Sequence, residues 1–144
     1  MTDLGRRAVA CKAWRWMRGM TGVDAHGTRF IVTGYAAEHG DKLLARAVDD
    51  GDAEGFAFVE DDDVSRDWYD DPTPDMTDPA TLGCVLAILR DVYRDPCLHL
   101  GWFSTLDGER WCVMTIAVGG GPAFTATSEA EALVLALEAA PVSP

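Results

Sequence analysis

Carboxylates dominate the chemistry available to this chain. Residues 49–78 carry 13 acidic side chains against the single base Arg66, a net charge of −12 that equals the charge of the whole 144-residue protein. The remaining 114 residues hold 11 acids and 11 bases. Two acidic patterns invite a chemical reading. In the first, Asp50, Asp52, Glu54 and Asp61, with Gly55, follow the pattern of a calcium loop, in which spaced oxygens surround a hard cation and a glycine makes the sharp turn. Against it, Ala57 and Phe58 add no side-chain oxygen, and Asp61 stands where a longer, bidentate Glu is usual. The flanking segments also alternate like strands rather than helices. A hairpin turn explains Gly51 and Gly55 equally well and is preferred.

In the second, Asp61, Asp62, Asp63, Asp67, Asp70 and Asp71 have the composition to gather magnesium or to pair as acid and base. Such chemistry needs carboxylates held at fixed separation on rigid elements, and a stretch leading into Pro72 and Pro74 offers little rigidity. Trp68 and Tyr69 lie among these carboxylates. Aromatic side chains supply the buried contacts that charge alone cannot, so the eight residues together are expected to form a partner-binding surface. The competing reading is a solvated acidic loop.

Elsewhere the signals are weaker. Cys97 and His99, with Cys84 and Cys112, lack the short chelating pair of a zinc site, and the cysteines lie in apolar segments as core thiols do. Ser104 and Ser128 have no nucleophile-elbow context, and residues 119–122 lack the Lys-Ser/Thr of a phosphate loop. The motif WRWMRGM at 14–20 reads as core and helix-end packing, with a cation–π cluster, an exposed binding patch or a basic face for the chain's own acidic stretch as alternatives. Neither a catalytic residue nor a cofactor is expected.

Composition sets the frame. With 48% hydrophobic and 25% charged residues, the chain is expected to be one globular domain with its own core. A pI near 4.4 argues against direct contact with nucleic acid and for a protein partner with a basic surface. The longest apolar run, 82–89, is too short to span a bilayer, and residues 1–20 lack the apolar centre of a secretory signal. With no C-x-x-C pair, the thiols suit a reducing cytoplasm.

The positioning elements follow from periodicity and caps. A helix is expected from Asp3 to about Met20, then strands at 29–34, 42–48 and 56–60, and an acidic, proline-containing loop at about 61–77. Asp78-Pro79 opens a helix with Leu82, Val85, Leu86, Leu89, Val92 and Tyr93 as its apolar stripe. Strands at 97–104 and 110–118 flank a turn, a short strand follows at 123–127, and Ser128 with Glu131 caps a last helix. The expected fold is α+β, an antiparallel sheet of about five to six strands covered by about three helices.

Three segments, CKAWRWMRGM (11–20), PDMTDPATLGCVLAILRDVYRDP (74–96) and TSEAEALVLALEAA (127–140), resemble small phage and prophage proteins of the ABA sandwich type. The resemblance covers about two-thirds of the chain and excludes the acidic middle. It implies a helix with a compact Trp motif, a strand–helix–strand middle and a Glu-Ala-rich final helix. It carries no catalytic residue. Together with the acidic stretch, it suggests a non-enzymatic accessory protein, with a nucleic-acid-mimicking inhibitor of a host or defence protein as its sharpest form. A small-ligand or divalent-metal domain and a virion assembly protein are the alternatives.

Overall fold

Three helices and eight strands make up the residues that the computed structural model describes, namely 2–25, 27–36, 42–47, 56–58, 72–118 and 122–141. In chain order they are α1 (Thr2–Ala10), β1 (Thr21–Val23), β2 (Arg29–Ala36), β3 (Lys42–Ala47), β4 (Phe56–Phe58) and β5 (Thr73–Pro74). Helix α2 (Pro79–Val92), β6 (His99–Thr105), β7 (Gly108–Met114), β8 (Pro122–Ala126) and α3 (Glu129–Glu138) complete the set, with a 3-10 turn at Ile116–Val118.

The α+β class is as expected, but the strands form two antiparallel sheets rather than one. The first has the order β4-β3-β2-β1-β5 and the second β6-β7-β8. Helix α2 separates them in sequence. Its start is set by Asp78, whose Oδ2 accepts the Thr81 N–H at 3.1 Å, with Pro79 at the position where a missing donor costs nothing. The buried side of α2 is Thr81, Val85, Ile88 and Leu89, so its inward face turns toward Ile88 and leaves Leu82 and Leu86 half-buried at the margin. Ser128 caps α3 through the Glu131 N–H, and that helix buries Ala130, Ala132, Leu133, Val134, Ala136 and Leu137.

The first helix is shorter than its propensity suggests. It ends at Ala10, and 3-10-type bonds from Cys11 N–H to Ala8 and from Trp14 N–H to Cys11 turn the chain. Core packing overrides local propensity here. Trp16, only 4% exposed, lies against Phe30 with ring centroids 5.5 Å apart, and Trp14 meets Trp16 edge-on at 5.4 Å. Met20 is fully buried in the same cluster. One core joins both sheets: Phe30 and Val32 from β2, Val85 and Leu89 from α2, Val113 from β7, and Leu133 and Leu137 from α3.

Two strands have no clear sequence pattern. β1 and β5 pair through Gly22 with Pro74 and Val23 with Thr73, so residues 73–74 belong to the sheet rather than to a loop. Glycines make that approach possible. A Cβ on Gly5 of α1 would collide with Thr73 Cγ2, and one on Gly22 would lie 2.6 Å from the Thr73 carbonyl oxygen. Proline is tolerated at Pro74 because β5 is an edge strand. Among the described residues, no helix is long and apolar enough to cross a membrane.

Candidate functional site

The expected partner-binding residues Asp61, Asp62, Asp63, Asp67, Trp68, Tyr69, Asp70 and Asp71 lie outside the described residues, as do the calcium-pattern residues Asp50, Asp52 and Glu54. The structure does describe the elements on either side of them. β3 and β4 pair antiparallel, with Arg46 opposite Phe56, so the segment carrying Asp50, Asp52 and Glu54 joins two paired strands. A calcium loop of the helix–loop–helix kind needs helices there.

The stretch from Val59 to Asp71 is tethered between Phe58 on β4 and Pro72-Thr73, where β5 begins. These two strands are the opposite edges of the five-stranded sheet. Four inter-strand spacings separate them, about 19 Å. Beside the second tether lies a cavity of about 310 Å³ lined by Val23, Arg29, Thr73, Pro74, Asp75, Met76 and Thr77. Val23, Pro74 and Met76 give it an apolar wall. Its polar edge is organised by Asp75, whose Oδ1 accepts the Thr77 N–H at 3.0 Å and whose Oδ2 lies 3.7 Å from Arg29 Nη2. The Asp75 N–H in turn donates to the Thr21 carbonyl at 2.9 Å, locking this turn to β1.

This pocket offers one guanidinium beside a carboxylate, and the Thr77 hydroxyl donates to that same carboxylate. Its lining combines apolar side chains with these polar groups, as small-molecule pockets do. Sequence pattern does not reveal it, because Arg29 and Asp75 are brought together only by the pairing of β1 with both β2 and β5.

Of the other candidate groups, Cys97 is an exposed free thiol, while Cys84, Cys112 and His99 make local contacts. The Cys84 thiol faces the Arg18 carbonyl at 3.6 Å, and Cys112 lies 3.6 Å from Met114 Sδ. His99 Nδ1 is 2.9 Å from the Cys97 carbonyl. Among the described residues, no three of His, Cys, Asp or Glu gather where a metal ion could bind. Burial pushes the Cys11 and Cys84 thiols above their ordinary values, which keeps them protonated and poorly nucleophilic. Asp95 is a buried carboxylate, but it is fully used: it accepts from Thr115 Oγ1 at 2.8 Å, Cys97 N–H at 3.0 Å and Ile116 N–H at 3.1 Å.

No protein-family model, curated protein or solved structure matches this chain. Its function is read from its own residues.

The charge balance supplies the most informative of these. The described residues hold 11 acidic and 11 basic side chains, so they are neutral by formal count and the charge of −12 belongs to the others. Within residues 49–71 there are 11 acids and one base.

Proposed function

We propose that this single-domain chain is a non-enzymatic, cytoplasmic phage or prophage accessory protein that binds a partner protein with a basic surface. Asp61, Asp62, Asp63, Asp67, Asp70 and Asp71 supply the field, and Trp68 and Tyr69 supply the anchors. The observation that carries this reading is the neutrality of the described frame beside the −12 concentrated elsewhere. A neutral frame adds no competing field, so a partner is steered toward one place. Aromatic rings then provide the desolvated contact that a screened charge lacks.

A basic groove that normally holds nucleic acid is the surface most complementary to such a stretch, because it is already arranged to neutralise closely spaced anions. The inhibitor reading is tested by competition. Partner captured on the immobilised full chain is expected to be displaced by excess duplex DNA and to be lost with Trp68→Ala plus Tyr69→Ala. Capture that DNA leaves intact counts against mimicry. Capture that the double variant leaves intact counts against the aromatic anchors.

A second reading is a small-ligand or divalent-metal domain, and the cavity at Arg29 and Asp75 favours its small-ligand form. Melting curves with and without millimolar Ca²⁺, Mg²⁺ and Mn²⁺ test its metal form, since a bound ion raises Tm by mass action. An unchanged Tm removes it.

A further inference from the structure

Strand β6 is the outer strand of its sheet, and no strand among the described residues pairs with its free side. Its register on β7 identifies the backbone groups left over. Thr105 pairs with Gly108 across a two-residue turn, so these two exchange hydrogen bonds, and alternation gives the same role to Phe103, Gly101 and His99. The N–H and C=O groups of Leu100, Trp102 and Ser104 therefore point away from β7. Open edges of this kind are normally blunted by a charge, a proline, a bulge or short length. β6 has none of these: it runs seven residues, HLGWFST, in unbroken register. Trp102, at its centre, is 52% exposed although it shares the core-facing side with Leu100.

We propose that β6 is a homodimerisation edge that pairs antiparallel with β6 of a second copy about a two-fold axis at Trp102. In that register Trp102 faces its own equivalent, and Leu100 faces Ser104 of the second copy. Each outward N–H and C=O of these residues then has a partner. Moving the axis to Gly101 or Phe103 leaves Ser104 or Leu100 without one. The two Trp102 rings meet on the core-facing side, and on the other face Phe103 covers the bare backbone of Gly101 from the second copy.

Charge favours a second copy over a charged peptide. Each copy carries −12, yet β6 itself has no Asp, Glu, Lys or Arg, so pairing forces no like charges into contact and offers a charged peptide nothing to read. The long-range repulsion that remains is screened by salt. A seven-residue edge with one half-exposed indole per copy buries less than the roughly 1,200 Å² of stable complexes, so the dimer depends on concentration.

Sedimentation of the full chain from roughly 1 μM to 1 mM, at low and high salt, tests the proposal. The expected result is a monomer–dimer equilibrium that strengthens with salt, with the amides of Leu100, Trp102 and Ser104 gaining exchange protection as dimer forms. Ser104→Pro removes an outward N–H and spares the β7 ladder, and Trp102→Lys places two like charges on the axis. Each is expected to weaken the dimer at least about tenfold. A chain that stays monomeric over the whole range overturns the proposal. So does a dimer that both folded variants leave unchanged, or one whose protection falls elsewhere. Partner binding through the acidic stretch weakens with salt, so the two proposals can fail separately.

Discussion

Thr115 donates its hydroxyl proton to Asp95 at 2.8 Å, and this contact ties the end of α2 to the 3-10 turn after β7. The Asp95 carboxyl is held below the ordinary aspartate range, chiefly by that hydroxyl, with the Ile116 and Cys97 N–H groups and nearby His99 adding to it and burial opposing. A carboxyl with a lowered folded pKa stabilises the fold fully above its unfolded value, about 3.9, and that contribution is lost as pH falls through the folded value. Asp95→Asn is therefore expected to lower Tm at neutral pH by about 5 °C, with the gap to wild type narrowing below about pH 4. Paired thermal melts across the acid range check this. A gap independent of pH contradicts it.

A second carboxylate links β1 to α2. Asp78 Oδ2 accepts from Thr81 N–H, Thr81 Oγ1 and Thr21 Oγ1 at 3.0–3.1 Å, while the Thr21 N–H donates to Thr81 Oγ1 at 2.9 Å. Asp78→Ala is expected to cost about 1–2 kcal/mol in urea unfolding, the usual value of a helix cap. Because Thr21 shares the same oxygen, Asp78→Ala and Thr21→Val are expected to be non-additive by about 0.5 kcal/mol or more in a double-mutant cycle.

Helix α2 ends with Arg94 at φ +54°, while the Asp95 N–H reaches back to the Arg90 carbonyl at 3.0 Å. This is the terminator in which glycine is usual. The left-handed conformation costs a side-chain-bearing residue about 1–2 kcal/mol, and the greater freedom of unfolded glycine takes back about 0.5–1. Arg94→Gly is expected to raise stability by about 0.5–1 kcal/mol in the same urea assay.

The tryptophan pair separates packing from polarity. Trp16 is buried against Phe30, whereas Trp14 Nε1 is buried without a hydrogen-bond partner among the described residues. Trp16→Ala is expected to cost about 3–5 kcal/mol. Trp14→Phe, which removes the orphaned donor and keeps a ring, is expected to change stability by less than about 1 kcal/mol. Denaturant titration of both variants measures the contrast.

Local signals made much of the fold legible in the sequence. Asp78-Pro79 and Ser128 act as caps, and the turn at Leu106-Asp107 joins β6 to β7. What escaped depends on distance along the chain. β5 has only two residues, one of them a proline, and Gly5 and Gly22 let α1 and β1 come close to it. Nothing in a local window separates one sheet from two, since that choice depends on where β6 pairs after α2. The end of α1 at Ala10 is imposed by burying Trp16, against local helix propensity. The pocket joins Arg29 to Asp75 across three strands, beyond the reach of spacing rules.

The proposed division between a neutral frame and an acidic binding stretch is tested most directly by neutralising that stretch. Asp61, Asp62, Asp63, Asp70 and Asp71 are changed together to Asn in the full chain, and partner capture from lysate is compared with wild type in moderate salt. The account predicts that the variant melts within about 3 °C of wild type, because the frame is already balanced, and loses the captured partner. Capture of the same partner in undiminished amount contradicts it.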